Sequence, residues 1–412
     1  MWNRHLRQNP SLGSRRSRTG LAVALATASV LLSAAPRLLL AAGALPRAGR
    51  PFIWSDVYAT YVDHLAGGRV PYADTYFDYP PAIGYLSGLF SRIAAGPVVY
   101  VALWTVIAAA ASGGVAYLLA REGTPARTLL FWSGSPQLLL YGGANFDVLA
   151  VFTLVVAVVL ARRGRHMAAL IALGIASLVK VFPVVAAGLE LERARRARGI
   201  RAALALSTAF AATVAIGAAP SLAAPHPSTE GIVVQASRTN FDSVWGLVLA
   251  ALDGLHVPGA GTLVGALSLV GLLSTYLFVL RRAEPRADPA RLTLLGLLAL
   301  LLWTRLYSPQ YSLWVLPFFA LLPVRPRPFA LLSIADIAVF AALYPLTLVP
   351  WGRDDTLPSI LFGVLAVGVV LRHVALIGTW WAANDIGPAQ PAHHPGSSAS
   401  STSITGMPSR TG

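Results

Sequence analysis

The sequence predicts an all-α, polytopic helical membrane protein with a bundle of about ten to twelve transmembrane helices. Hydrophobic residues make up 56% of its 412 residues and charged residues only 12%, with a mean hydropathy of +0.63. A soluble domain carries about a quarter charged residues. Apolar runs long enough to cross about 30 Å of hydrocarbon recur from end to end. Basic clusters alternate with these runs, as expected for cytoplasmic loops.

The net charge of +15 is therefore better explained by helix orientation than by nucleic-acid binding. The absence of cysteine excludes disulfides and thiolate metal sites. The eight histidines show no ligand spacing, and no P-loop or metalloprotease motif is present. We expect no nucleic-acid partner, no metal site and no cofactor.

The N-terminus is basic and precedes an apolar run from Gly20 to Pro36. This order is typical of a signal peptide, but the run is long for one and the following chain is membrane-like throughout. We predict a basic cytoplasmic N-terminus, residues 1–19, and an uncleaved first span that ends at Pro36 or a little beyond.

An outer loop, residues 43–96, is expected next, and the stretch from Trp54 to Pro81 is its most polar part. This stretch holds four of the chain's 17 acidic residues, which are Asp56, Asp63, Asp74 and Asp78. We interpret it as a catalytic loop on the non-cytoplasmic face. Residues 81–95 are helical in pattern but short, so they lie along the interface or form a short span of their own.

Further spans are expected along the rest of a transmembrane domain that covers residues 20–380. Residues 381–412 are rich in Ser, Pro, Gly and Thr, which predicts a disordered cytoplasmic tail. The expected spans are residues 98–120, 128–141, 148–161, 202–219, 259–280, 292–306, 313–322, 329–349 and 360–377.

The apolar stretch around Lys180 has basic clusters at both ends, yet it is shorter than the roughly 40 residues that two crossings need. If both clusters are cytoplasmic, the stretch forms two half-helices that meet near Lys180, within protein or a wet cavity. Lys180 is the only lysine, and a cation in the membrane costs about 2.5 kcal/mol or more. It should face a cavity and an anionic partner such as a lipid phosphate; the alternatives are a structural acid or snorkelling.

Asp56 follows an apolar patch and lies beside aromatic residues, as suits a general base at the membrane boundary. The alternative is a solvated acid or a helix cap. Asp78 is a candidate for binding a substrate hydroxyl or for capping the next helix. Tyr79 opens a stiff Tyr-Pro-Pro sequence that sets the start of that helix, and we include it among the substrate-binding candidates.

Other polar groups are expected at the outer ends of helices. Arginines there suit phosphate groups, although they also anchor helices at the interface. Two of the candidates below, Asn145 and Asp147, equally suit a turn or a helix cap. The candidates for substrate binding are Asn145, Asp147, Arg238, Arg305, Gln310 and Tyr311.

The chain resembles glycosyltransferase family 87, whose members are membrane enzymes with the GT-C fold. The resemblance lies in the order of four segments: SDVYATYVDHLAGGRVPYADTYFDYPP, GGANFDVLAVF, GIASLVKVFP and LYSPQYSLWVLPF. It extends over about residues 20–375, and the family includes polyprenyl-phosphomannose-dependent mannosyltransferases of actinobacteria. The high arginine content and abundant alanine suit such a high-GC source.

The resemblance implies a hexosyltransferase in the plasma membrane. Asp56 would be the general base for inverting attack by a lipid or glycan acceptor on a polyprenyl-phosphate sugar, with mannose as the expected sugar and arabinofuranose as an alternative. Lys180 and the outer arginines would neutralise the lipid phosphate. A different hypothesis is a transporter or flippase of a lipid-linked or anionic substrate with its site at the broken helix. The acidic loop has no counterpart in the second half, which disfavours a transporter built from two similar halves.

Overall fold

The computed structural model describes residues 12–45, 53–347 and 356–386. Within these ranges the protein is all-α, as predicted, apart from one isolated bridge between Pro71 and Thr75. The α-helices are α1 (Leu12–Ala41), α2 (Asp56–Thr60), α3 (Pro81–Ile93), α4 (Pro97–Glu122), α5 (Pro125–Thr128), α6 (Pro136–Tyr141), α7 (Asp147–Arg162), α8 (His166–Val179), α9 (Val184–Arg198), α10 (Ile200–Leu222), α11 (Thr229–Ser237), α12 (Val244–Gly254), α13 (Ala260–Arg281), α14 (Pro289–Trp303), α15 (Leu316–Leu321), α16 (Pro326–Leu346) and α17 (Thr356–Asn384).

Six of the described helices are long and apolar enough to cross a membrane, which confirms a polytopic membrane protein. They are α1, α4, α10, α13, α16 and α17. Three shorter helices, α8, α12 and α14, are also apolar. Helices satisfy their backbone hydrogen bonds internally, which is why such a composition folds this way in lipid.

The core lies where α1 packs on α4, α4 on α7, and α16 on α17. By contrast, α10 and α13 turn large apolar side chains outward, such as Ile216 and Val270, with 76% and 62% of their surfaces exposed. Apolar side chains on the outside suit contact with lipid tails. The bundle therefore has a packed apolar centre, and polar residues buried in it require a structural or functional explanation.

The predicted break at Lys180 is confirmed. Helix α8 ends at Val179, helix α9 begins at Val184, and Lys180 itself adopts an extended backbone. Pro183 has no backbone N–H and precedes the first residue of α9, so a continuous helix is disfavoured there. The two half-helices are 14 and 15 residues long.

Several predicted bounds are wrong. Helix α1 begins at Leu12, ahead of the predicted start at Gly20, whereas its end at Ala41 lies a little beyond Pro36, as expected. The span expected at residues 128–141 is interrupted at Ser135, which caps α6 ahead of Pro136. A π-helical turn, Leu129–Ser133, comes before that interruption.

The span expected at residues 313–322 is likewise not one helix. It is divided into a 3₁₀ turn, Pro309–Trp314, and the short helix α15. Pro309 and Pro317 each lie in the first turn of their element, where a missing N–H is tolerated. The loop expected after residue 219 contains α11 and α12, which were not predicted from the sequence. Helix α17 continues to Asn384, past the predicted start of the tail at residue 381. Residues 1–11 of the predicted N-terminus, loop residues 46–52 and the tail beyond residue 386 lie outside the described residues.

Candidate active site

Asp56 is the first residue of the short helix α2, in the loop between α1 and α3. The cap of this helix is Ser55, whose hydroxyl accepts a hydrogen bond of 3.1 Å from the Tyr58 N–H. The Asp56 carboxylate is therefore not needed as a cap. It accepts hydrogen bonds from the Trp54 indole (2.5 Å) and from the Gln310 amide (3.5 Å). Gln310 comes from the distant 3₁₀ turn, so two parts of the chain meet at this carboxylate.

Arg37, near the end of α1, holds the Asp56 loop in place. The residue is 3% exposed, and its guanidinium donates to the carbonyl oxygens of Trp54 (2.9 Å) and Leu140 (2.8 Å). The Val57 N–H also donates to the Ala144 carbonyl at 3.4 Å. Together these bonds connect the loop around Asp56 to the segment that leads into α7.

Asp147 begins α7 and is completely buried. One carboxylate oxygen accepts from the Lys180 ammonium at 3.1 Å, and the other accepts from the Trp314 indole at 2.6 Å. The Asn145 side-chain oxygen accepts from the Asp147 N–H at 3.0 Å, which is a local turn. Lys180 thus has an acid of the protein as its anionic partner.

Aromatic rings surround Lys180. Its ammonium lies 5.3 Å from the ring centre of Tyr79 and 5.5 Å from that of Tyr311, within cation–π range. Trp314 is stacked between Tyr311, at 3.9 Å, and Phe182, at 3.8 Å. The Lys180 side chain is 14% exposed, so the ammonium is largely shielded from water.

The carboxyl group of Asp56 lies outside the spanning helices but is half-buried. Burial raises its pKa above the ordinary range of an aspartate, while the indole of Trp54 and the charge of Lys180 act in the opposite direction. The nearby charge of Asp147 adds to the increase in this pKa, and a hydrogen bond with Tyr79 opposes it. A half-buried carboxylate with a raised pKa is suited to take up a proton.

Asp78 lies in a different group of side chains. Its carboxylate is 3.9 Å from His64, and its other oxygen is buried without a hydrogen-bond partner among the described residues. The buried Tyr76 hydroxyl also makes no geometric hydrogen bond with a described residue, although it is close enough to the Asp78 carboxylate for the two groups to interact. Helix α11 packs on this segment through Gly231, where an added Cβ would lie 2.9 Å from the Phe77 carbonyl. Asp78 itself therefore belongs to the α11 side of the loop, although the next residue along the chain, Tyr79, reaches the Asp56 group.

The two predicted phosphate-binding arginines lie near the end of α11. Arg305 donates to the Ala236 carbonyl at 2.9 Å, and its own carbonyl accepts from the Asn240 N–H at 3.0 Å. Arg238 follows α11 and is exposed. Across the described part of the chain, neither guanidinium makes a hydrogen bond or ion pair with Asp56 or Lys180.

Sequence reasoning missed four residues that build the Asp56–Lys180 region: Arg37, Trp54 as a donor, Phe182 and Trp314. A signal existed for Arg37, since it is a charged residue directly after Pro36 in an apolar run. Trp314 is one helical turn beyond Gln310, yet only the fold shows that it reaches Asp147. The region brings together Asp56, Tyr79, Asn145, Asp147, Lys180, Gln310 and Tyr311.

The sequence model of glycosyltransferase family 87 matches residues 76–304, more than half of the chain. The chain belongs to glycosyltransferase family 87. None of the curated protein sequences compared with the chain matches it. The family 87 match includes Lys180 and Asp147, whereas Asp56 and Gln310 lie outside the matched residues.

Membership of family 87 identifies the chain as a membrane glycosyltransferase, an enzyme that joins a sugar from a donor to an acceptor. Such a transfer requires the acceptor hydroxyl to lose a proton and the leaving group to be stabilised as its charge develops. The group around Asp56 and Lys180 contains one residue type for each of these requirements. The half-buried carboxylate suits the first, and the shielded ammonium suits the second.

Proposed function

We propose that this family 87 enzyme transfers a hexose, mannose being the favoured sugar, from a polyprenyl-phosphate sugar to a lipid or glycan acceptor. The supporting observation is the Asp56 carboxylate, which is half-buried and oriented by Trp54 and Gln310. Asp56 takes the proton from the acceptor hydroxyl. The hydroxyl oxygen then bonds to the anomeric carbon, and the bond from that carbon to the phosphate oxygen breaks with inversion.

The charges of the region suit this reaction. Arg37 and Lys180 carry positive charge, and Asp56 and Asp147 carry negative charge. The four side chains interact, and their charges sum to zero. When Asp56 is protonated in the reaction, the group gains a net positive charge. The leaving polyprenyl phosphate gains a negative charge at the same step, so its departure is stabilised when the charge develops.

Lys180 binds the leaving phosphate in this proposal while remaining paired with Asp147. An ammonium has three donors, and Asp147 accepts one of them at 3.1 Å. The rings of Tyr79 and Tyr311 exclude water around the ammonium, which strengthens its interaction with a phosphate. Asn145 and Asp147 act by positioning Lys180 and not by direct contact with the sugar.

Arg238 and Asp78 are proposed to contact the substrates farther from the reacting atoms. Arg238 is exposed and makes no side-chain hydrogen bond or ion pair with any described residue, so its guanidinium is free to bind a phosphate. Arg305 already donates to Ala236 and is better suited to holding α11 in place. The unpartnered oxygen of Asp78 suits an acceptor hydroxyl.

We propose that the site faces the non-cytoplasmic side of the plasma membrane. Helix α7 begins at Asp147 in the site and ends at Arg162, about 24 Å away along the helix axis. The far end carries Arg162, Arg163 and Arg165, followed by the basic residues of α9. Such a cluster favours the cytoplasmic side, which places Asp56 on the opposite one.

The test is transfer of labelled mannose from polyprenyl-phosphomannose to a total lipid extract by membranes that contain the protein. Wild type should form a new labelled glycolipid. Asp56→Asn should lower the rate by about 10²–10⁴-fold, the usual contribution of a general base. Asp63→Asn is the matched control, because Asp63 is an exposed acid of the same loop. Equal loss of transfer in both variants would contradict the role of Asp56.

A further inference from the structure

A second buried charged group lies between α16 and α17. Asp336 is completely buried and Arg372 is 2% exposed, with a nitrogen of Arg372 3.8 Å from a carboxylate oxygen of Asp336. Burying charged groups inside a membrane bundle costs free energy, and such groups usually have a functional role. Neither residue is part of the Asp56–Lys180 region described above, so the group needs its own explanation.

Asp336 binds the 3₁₀ turn, Pro309–Trp314, from the side of α16. One carboxylate oxygen accepts from the Ser312 hydroxyl at 3.0 Å, and the other accepts from the Gln137 amide at 3.1 Å. The Tyr141 hydroxyl donates to the Asp336 carbonyl at 3.1 Å. The carboxylate is thereby placed between α6 and the centre of the 3₁₀ turn.

Arg372 binds the start of the same segment. Its guanidinium lies over the ring of Tyr307, 3.9 Å from the ring centre, and donates to the Asp242 carbonyl. The Tyr307 hydroxyl is in turn 3.2 Å from the Ser312 hydroxyl. Residues 307–312 are therefore held at both ends by one buried ion pair.

The segment held in this way carries two donors to the proposed active site. Gln310 donates to Asp56, and Trp314 donates to Asp147, the partner of Lys180. Ser312 lies between these two residues and contacts Asp336. A shift of the segment would thus move the neighbours of the base and of the lysine together.

We propose that Asp336 and Arg372 are positioning residues, which act through Ser312 and Tyr307 to set Gln310 and Trp314 for catalysis. The proposal rests on the proposed role of Asp56. A displacement of about 1 Å in a catalytic group lowers the rate about 100-fold, so a buried network with few alternative arrangements is an effective support. An uncharged core would give less directional support to the turn.

The first measurement is the kinetics of transfer by Ser312→Ala, which removes the hydrogen bond to Asp336 and the contact with the Tyr307 hydroxyl but keeps the ion pair. We expect kcat to fall about 10-fold or more with little change in KM, because Ser312 is completely buried and its hydroxyl is bound within the protein. The matched control is Glu190→Gln, which alters a buried carboxylate held by His166 and Arg193 away from the site. It should lower thermal stability without lowering kcat.

The second measurement does not depend on transfer. The chain has no cysteine, so Gln310→Cys introduces a single thiol at a position that is 8% exposed in the wild type. Adding Ser312→Ala should raise the rate of maleimide labelling about 10-fold, since a hydrogen bond to a buried carboxylate is lost. Adding Glu190→Gln should leave the labelling rate unchanged.

These two measurements separate the inference from the proposed function. Faster labelling together with lower kcat supports the positioning role. Unchanged labelling overturns it, whether or not transfer is lost. If wild type transfers no sugar from any polyprenyl-phosphate donor, the proposed function fails, and labelling alone then decides whether Asp336 and Arg372 hold the turn.

Discussion

Lys180 and Asp147 form a buried ion pair of 3.1 Å that joins the break between α8 and α9 to the first residue of α7. The pair explains how a helix interruption is tolerated within the bundle. The cation at the break is neutralised by a buried acid, and the acid is also bound by the Trp314 indole. Each charge would be costly alone in this setting.

In a double-mutant cycle on this pair, we expect the second substitution to restore stability but not activity. Lys180→Met leaves Asp147 buried without a counter-charge and should destabilise the protein by about 3–5 kcal/mol. Adding Asp147→Asn should recover much of that loss in thermal unfolding of the detergent-solubilised protein. Transfer should remain low in both variants if Lys180 contacts the leaving phosphate.

Two results would contradict these roles of the pair. Recovery of transfer along with stability in the double variant would show that Lys180 is only structural. Additive losses of stability would show that the two side chains do not depend on each other. The control is the double replacement of Arg162 and Asp288 by Gln and Asn, an ion pair of 2.5 Å at the other end of α7.

Trp54 predicts the pH dependence of transfer. Asp56 acts in its ionised form, so activity is full above its pKa and falls as the pH decreases through it. Burial raises this pKa, and the Trp54 indole opposes the increase by donating to the carboxylate. Trp54→Phe removes the donor and retains a ring near Tyr344, so the acid limb of kcat/KM against pH should move to higher pH.

The matched control for this pH profile is Trp381→Phe, since Trp381 is 65% exposed on α17. It should leave the acid limb unchanged. A limb that stays in place in Trp54→Phe would mean that the titrating group is not Asp56. A limb that moves to lower pH would mean that Trp54 does not stabilise the ionised carboxylate.

The sequence predicted the features that follow from hydrophobicity and charge. These include the all-α membrane fold, the break at Lys180 and the need of Lys180 for an anionic partner. The expected partner was a lipid phosphate, and the structure shows the alternative, an acid of the protein. Lipid leaves few alternatives for a long apolar run, and a lone lysine in such a run requires a partner. The identity of that partner could not be predicted, because Asp147 is 33 positions away and both a cap and a ligand role suited it.

The parts that could not be predicted depend on contacts between distant segments. Asp336 contacts Ser312, and Arg372 contacts Tyr307. These contacts form only when α16 and α17 pack against the rest of the bundle. The partners of Arg37 are likewise distant, since its two carbonyl acceptors come from the Asp56 loop and from α6. Periodicity describes one helix at a time and contains no information on such partners.

The two arginines near α11, Arg238 and Arg305, should differ in role: one affects substrate binding and the other affects stability. Arg238→Gln should leave thermal stability unchanged and raise KM for the polyprenyl-phosphate sugar, because the exposed guanidinium has no described partner in the protein to lose. Arg305→Gln should lower stability by about 1 kcal/mol through the lost bond to the Ala236 carbonyl. The comparison uses steady-state transfer and thermal unfolding for both variants. An unchanged KM in Arg238→Gln would remove this residue from the donor site.

Gly143 lies against α1 and allows a steric test of the contact between α1 and the segment that leads into α7. A Cβ at this position would lie 2.7 Å from the Ala34 backbone nitrogen, and backbone cannot move aside as a side chain can. Gly143→Ala should therefore cost about 1–3 kcal/mol of stability. It should also lower transfer, since Ala144 comes next and binds Val57 beside Asp56, and Asp147, the partner of Lys180, begins the helix that follows. Gly20→Ala is the control, because its Cβ would meet nothing within 4 Å and alanine favours a helix by about 1 kcal/mol. Thermal unfolding and transfer rates of the two variants decide between these outcomes, and equal stability in both would show that α1 and residue 143 are not in close contact.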